Sequence, residues 1–218
     1  MTTGAERIGR WISGAPTRVA AASARAFFAL ALAGLGLGLT TGARAASDPA
    51  WSVEQLMQRL AQVKSSKATF VERKHLRILN QPLESSGTLV YTAPGSLEKH
   101  TLKPKPETLV LERDTLTFED AARKRRRTLR LQDYPVIWAF VESIRSTLAG
   151  DLQSLNRFYR VALDGSEIDW RLTLDPREPD IQRMVNQIRI AGSRASIRAI
   201  EITEAEGDRS VMTITEAP

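Results

Sequence analysis

Gly87-Thr88-Leu89-Val90-Tyr91-Thr92-Ala93-Pro94 is the stretch on which the fold turns. Its first six residues alternate with a period of two, Leu89 and Tyr91 on one face and Thr88, Val90 and Thr92 on the other. A half-buried strand reads this way, and Pro94-Gly95 stops it with a strong turn signal. The same punctuation recurs downstream. Leu97 to Leu102 forms the next candidate strand and is closed by Pro104 and Pro106. Leu109, Leu111 and Arg113 then share a face against Thr108, Val110 and Glu112, and Leu116 and Phe118 alternate with Thr115, Thr117 and Glu119. Leu129 and Leu131 alternate with Thr128 and Arg130. Short strands joined by short turns predict an antiparallel meander rather than a parallel sheet.

Upstream, Ser52-Val53-Glu54-Gln55 has the form of a capping box and predicts a helix to about Lys64. Val53, Leu56, Met57, Leu60 and Val63 fall on one stripe of it. A polar loop, Lys64 to Lys67, ends that helix, and the strand period begins at Ala68. Downstream, the meander is interrupted once. Asp133-Tyr134-Pro135 predicts a helix start with proline in its first turn, and Val136, Ile137, Phe140, Val141, Ile144 and Leu148 form one apolar arc, with Trp138, Glu142 and Arg145 outside it. A second short helix is expected over Asp151 to Phe158. Strands then resume at Tyr159–Leu163, turn at Asp164-Gly165, and continue through Glu167–Leu174, with Ile168, Trp170, Leu172 and Leu174 on one face. Asp175-Pro176 breaks that run, and Met184–Ala191, Ala195–Glu204 and Arg209–Thr215 complete the sheet. The expected class is α+β, mainly β, with about ten strands and about three helices. A sheet of that width curls, and the apolar stripes of the helices can be buried only on its concave face.

The N-terminus reads as an export signal. Arg7, Arg10, Arg18 and Arg25 precede an uncharged run of 14 residues, Ala26 to Leu39, and small residues stand at Ala43 and Ala45. That run is short of the roughly 20 residues a membrane-spanning helix needs. The expected organisation is a cleaved signal over 1–45 and a single domain over 46–218. The whole chain carries a net charge of +6. Residues 1–45 take five Arg and one Glu with them, leaving 26 bases against 24 acids, a net +2. Most of the basicity belongs to export, which argues against a nucleic-acid partner. The absence of cysteine removes disulfides, thiolate metal sites and cysteine nucleophiles. His75 and His100 have no Ser or Asp at a catalytic spacing, and no hydrolase, zinc-protease or phosphate-loop motif occurs after the leader. Neither an enzyme, a metal nor a cofactor is expected.

The stretch Gly87–Pro94, a G-x-L strand running into a proline-centred turn, resembles the LolA-type family of periplasmic lipoprotein carriers. Glu107–Arg113 and Asp114–Phe118 follow it as that family's short turn into an aromatic strand does, and the Pro135–Leu148 helix stands where the family inserts its lid. The resemblance implies an unclosed β-barrel covered by α-helices that shelters acyl chains between two membranes. It further implies a periplasmic monomer, loaded by an inner-membrane donor complex and emptied at an outer-membrane acceptor. One departure stands out: the residue before the turn proline, typically an Arg that latches the lid, is Ala93 here. This weakens the case for a lipoprotein and favours a variant carrier of a free lipid or lipid-like acyl product; the expected cargo is the acyl chains of a lipoprotein or of a lipid-like molecule.

By residue pattern alone, Leu89, Tyr91, Leu97, Leu109, Leu111, Leu116 and Phe118 on the sheet, and Val136, Ile137, Phe140, Val141 and Ile144 on the lid, either fill a core or line a cavity. The resemblance assigns them to a cavity. Arg123-Lys124-Arg125-Arg126-Arg127 is either a solvated hairpin or a docking patch for lipid headgroups or an acidic membrane partner. The competing function is a periplasmic scaffold with a solid interior that docks a membrane complex through this hairpin.

Overall fold

A computed structural model describes residues 51–217. The expected signal over 1–45 lies outside the described residues. The chain begins with helix α1 (Val53–Leu60), continues through β1 (Ser65–His75), β2 (Leu83–Thr92), β3 (Ser96–Lys103), β4 (Glu107–Glu112), β5 (Thr115–Asp120) and β6 (Arg125–Arg130), and then turns through a single 3-10 turn (Leu131–Asp133). Helices α2 (Pro135–Ala149) and α3 (Leu152–Phe158) follow, and then β7 (Tyr159–Ser166), β8 (Asp169–Pro176), the four-residue α4 (Pro179–Gln182), β9 (Val185–Ser193), β10 (Ser196–Glu204) and β11 (Arg209–Glu216).

All eleven strands form one antiparallel sheet in the order β6-β5-β4-β3-β2-β1-β11-β10-β9-β8-β7. The first and last strands pair at its centre, Phe70 opposite Ile214. Strands β6 and β7, consecutive in sequence, therefore sit on opposite edges, and the sheet does not close. The segment 131–158 has to carry the chain from one edge to the other, and it does so as α2 and α3.

Local chemistry explains most element ends. Ser52 Oγ accepts from Gln55 N–H at 3.3 Å while Ser52 N–H donates to Gln55 Oε1 at 3.1 Å, a complete capping box. Leu56, Met57 and Leu60 are the buried stripe of α1. Gly150 ends α2 in the left-handed region, φ 68°, and a Cβ there would collide with the Met57 carbonyl of α1. Asp151 caps α3 by accepting from Ser154 N–H at 3.0 Å.

Several boundaries differ from those expected. Helix α1 stops at Leu60, and the supposed loop Lys64–Lys67 is largely strand, because Ser65, Ser66 and Lys67 pair with Thr92, Tyr91 and Val90. A waiting partner strand overrides a polar composition. Arg113 is not on the face of Leu109 and Leu111: with Asp114 it makes a two-residue turn between paired Glu112 and Thr115, at φ 50°. Leu131 leaves the sheet after the Thr115–Arg130 pair and is buried in the 3-10 turn instead. Gly165 lies within β7, and the hairpin turns at Glu167-Ile168, since Ser166 pairs with Asp169. Ile168 consequently sits in solvent, 61% exposed, and not beside Trp170.

The interior forms two apolar clusters. The larger lies under β7–β10, α1 and α3 and includes Leu56, Leu60, Leu155, Tyr159, Trp170, Leu172, Leu174, Ile188 and Ile190. The smaller joins Leu111, Leu116, Leu131 and Val141. Helix α2 bridges them, giving Val136, Phe140, Ile144 and Leu148 to the first and Ile137, Val141 and Trp138 to the second.

Candidate functional site

The inner face of β2–β6 can be read directly from the register. Tyr91, Leu97, Leu111, Leu116 and Leu129 form one cross-strand row, and Leu89, Lys99, Leu109, Phe118 and Arg127 form the next. Alternation keeps both rows on the side that faces α2. The structure thus brings the expected sheet residues, Leu89, Tyr91, Leu97, Leu109, Leu111, Leu116 and Phe118, onto one surface. Leu111 and Leu116 are buried at 2% and 7% exposure, whereas Leu89, Leu97, Leu109 and Phe118 are only half-buried. Leu89 and Phe118 belong to neither apolar cluster. On the inner face Leu89 of β2 lies beside Lys99, and Phe118 of β5 lies between Leu109 and Arg127.

Across this face lies α2, and its burial reverses the amphipathic expectation. Val136, Ile137, Phe140 and Ile144 of the apolar arc are half-buried, Val141 alone being buried. The fully buried face is Ala139, Glu142, Ser143, Ser146 and Thr147. Small and hydroxylated residues let the neighbouring elements approach closely, and the hydroxyls are satisfied locally: Ser143 donates to the Phe140 carbonyl and Thr147 to the Ser143 carbonyl, both at 2.6 Å. Tyr159 Oη donates to the Ala139 carbonyl at 3.0 Å, pinning this face to β7. The apolar arc is thus only half-covered, and it is divided between the two apolar clusters.

Glu142 and Arg145, expected outside the arc, turn out to hold the helix down. Glu142 accepts from Arg145 Nη2 and from Ser146 Oγ, each at 2.5 Å. Arg145 Nη1 donates to the Arg113 carbonyl at 2.7 Å, and Asp114 Oδ1 lies 3.8 Å away. The Arg145 stem crosses the turn after Pro94: a Cβ at Gly95 would stand 2.6 Å from its Cδ. Arg145 thus ties α2 to two sheet turns, those at Arg113-Asp114 and at Gly95, whereas Ala93 offers no side-chain donor. The i,i+3 spacing of Glu142 and Arg145 was the available sequence signal.

The structure also brings a charged cluster together on the inner face. Glu72 is buried at 7% exposure, accepts from Lys99 Nζ at 2.5 Å and from Ser210 Oγ at 2.7 Å, and Lys99 lies 4.9 Å from the Phe70 ring centroid. Burial raises the Glu72 carboxyl, but the Lys99 charge and the hydrogen bonds from Lys99 and Ser210 outweigh it and hold the group below its ordinary range. Lys74 and Glu204 pair nearby at 3.2 Å. The signal was Glu72 sharing a strand face with Ala68 and Phe70. The Tyr91 hydroxyl, in a residue 3% exposed, has no hydrogen-bond partner among the described residues.

The five consecutive bases do not form one patch. Lys124 occupies the turn at φ 50°, Arg123 N–H donates to Asp120 Oδ1 at 3.0 Å, and Arg126 pairs with Glu119 at 3.2 Å on the outer face. Arg125 and Arg127 share the inner face with Asp120 and Phe118. Strand β6 is a sheet edge, where charge also discourages pairing with a second chain. His75 is exposed, and His100 Nε2 lies 2.8 Å from Glu98. A separate groove of about 570 Å³ lies on the opposite sheet face, among Arg171, Arg189 and Glu201, and it is polar. Among the described residues no helix is long and apolar enough to cross a membrane, and no side-chain group could hold a metal.

Comparison with known proteins gives this geometry its context. No curated protein matches the chain. A LolA superfamily protein from Nitrosomonas europaea is similar in structure at 8% identity and a TM-score of 0.42, over 76% of this chain and 92% of that one. A DUF1329 family protein from Desulfovibrio piger is similar at 9% identity and a TM-score of 0.41, over 75% and 88%. The family model described as "Outer membrane lipoprotein carrier protein LolA-like" matches residues 45–217. That range takes in all eleven strands and the helical connection between their open edges, and the chain belongs to this LolA-like family.

Proposed function

We propose that this protein is a periplasmic carrier that holds the acyl chains of a lipid or lipoprotein in a trough between α2 and β2–β5. It takes them up at the inner membrane and gives them up towards the outer, with no chemical step of its own. The observation that carries this reading is the burial pattern of α2. Its small polar face is buried and its apolar arc is half-covered, opposite half-buried Leu89, Leu97, Leu109 and Phe118. Each CH₂ buried in such a trough is worth about 0.8 kcal/mol, so an acyl chain is held without a polar contact. Loading and release require α2 to lift away from both apolar clusters, and the polar ties to be released are the Arg145 contacts with Arg113 and Asp114 and the Tyr159–Ala139 bond at its far side.

Membership of the LolA-like family supports the carrier class. The lid-borne arginine marks a variant of that design. Native mass spectrometry of the protein isolated from its own cell envelope tests the proposal. A lipid or acylated species should be released at higher collision energy, at one equivalent per chain. Protein that is empty as isolated and ignores fatty-acid and lipopeptide probes would contradict it.

A further inference from the structure

The inner face of β2–β6 is not apolar throughout: Lys99 stands between Leu89 and Leu109, and charge returns at the β6 margin. Leu109 pairs with Phe118 and Phe118 with Arg127; one step further out, Glu107 pairs with Asp120 and Asp120 with Arg125. Arg125 and Arg127 therefore stand on the same side of the sheet as Leu116, Phe118 and Leu129, and both are exposed. Their charged neighbours are committed elsewhere. Lys99 is held by Glu72 at 2.5 Å, Asp120 accepts from Arg123, and Arg126 turns away to Glu119. Among the described residues neither Arg125 nor Arg127 makes a side-chain hydrogen bond or ion pair. The two acids sharing this margin are Glu107 and Asp120.

An amphiphile lying with its tail under α2 would bring its head to this margin. We propose that Arg125 and Arg127 bind the anionic head, a carboxylate or a phosphate, of the cargo whose chain lies along Leu109, Leu116 and Phe118. The inference rests on the carrier reading and narrows its cargo to anionic amphiphiles. Guanidinium groups present paired donors that match either oxyanion. Strand β6 is the open edge of the sheet, so the head is neutralised where solvent still reaches it, and no charge has to be carried into the apolar trough. Inward-pointing charge on an edge strand also guards against aggregation. That role alone would make the arginines matter to self-association and not to the choice of ligand.

The test is equilibrium binding of a long-chain fatty acid, the alkyl phosphate and the alcohol of the same chain length. It compares the protein with an R125Q/R127Q variant whose folding is checked by circular dichroism. The acid, the phosphate or both should bind about tenfold tighter than the alcohol, and which anion gains more identifies the head. The preference should narrow as salt rises and vanish in the variant, while alcohol binding is unchanged. Equal binding of all three ligands by the unaltered protein would overturn the head assignment and leave the carrier reading standing. So would a variant that keeps the preference. Failure of all three ligands to bind would overturn both.

Discussion

Glu72 shows how much a single buried residue can determine. Its carboxylate sits next to Phe70 on the inner face of β1, buried, and is made acceptable there by the donors Lys99 and Ser210. A folded-state value held below the ordinary 4.5 means that the unfolded chain takes up a proton first as pH falls. The stabilisation is fully present above about pH 4.5 and is lost as pH drops through the lowered value. Glu204 acts in the opposite sense: burial outweighs Lys74 and raises its carboxyl, so its contribution favours low pH and fades as pH rises through that value. Glu72→Gln should therefore cost roughly 2 kcal/mol at neutral pH by leaving Lys99 without its counter-charge. It should also flatten the loss of stability below pH 4.5. Urea midpoints measured across pH check both. An unchanged acid limb would mean that Glu72 is not the group responsible. The pairing of Glu72 with Lys99 was not legible in the sequence, because 26 positions of intervening chain have to be folded into register before the two meet.

At the level of elements, α2 is where sequence and structure part most usefully. The apolar arc of Val136, Ile137, Phe140, Val141 and Ile144 was legible from its period, and so was the helix itself. Which face would be buried was not. The small residues Ala139, Ser143, Ser146 and Thr147 admit close neighbours that no periodicity reports, and Arg145 finds its acceptor on a turn 32 residues away. The same limit explains Arg113, Leu131 and Ile168: each continues an alternating pattern in sequence, and each falls just past the last paired residue of its hairpin. Arg145→Ala removes a charge-assisted bond to the Arg113 carbonyl and leaves Glu142 buried without its cation, a loss of roughly 1–3 kcal/mol. The effect should be local. Hydrogen exchange should quicken across 135–149 while β8 and β9 keep their protection. Uniform acceleration over the whole sheet would mean that Arg145 supports the core rather than the lid.

For the whole molecule, the decisive feature is that β1 and β11 pair at the centre while β6 and β7 are left at the two edges. The alternating strands and their turns predicted a curled antiparallel sheet under helices, and the structure has that architecture. Strand order could not be read the same way, since only the β1–β11 pairing, which joins the two ends of the described chain, decides where the edges fall. With that order the connection 131–158 must bridge the opening, and Arg145 ties it to the Arg113-Asp114 turn of the sheet; on the proposed reading it is the lid. The net charge of +2 expected for 46–218 conceals a local excess: β6 alone carries four Arg and no acid, and it lies on an open edge with Arg125 and Arg127 facing in.

If that lid has to open for cargo, locking it should abolish binding. The chain has no cysteine, and a Cβ at Gly95 would stand 2.8 Å from Arg145 Cγ, one bond beyond Arg145 Cβ. This is compatible with the roughly 3.5–4.5 Å between the Cβ atoms of a disulfide. A G95C/R145C variant, titrated with a fluorescent fatty acid, should show no saturable binding when oxidised and should bind one equivalent once reduced. Equal binding in the two states would contradict a lid-gated trough.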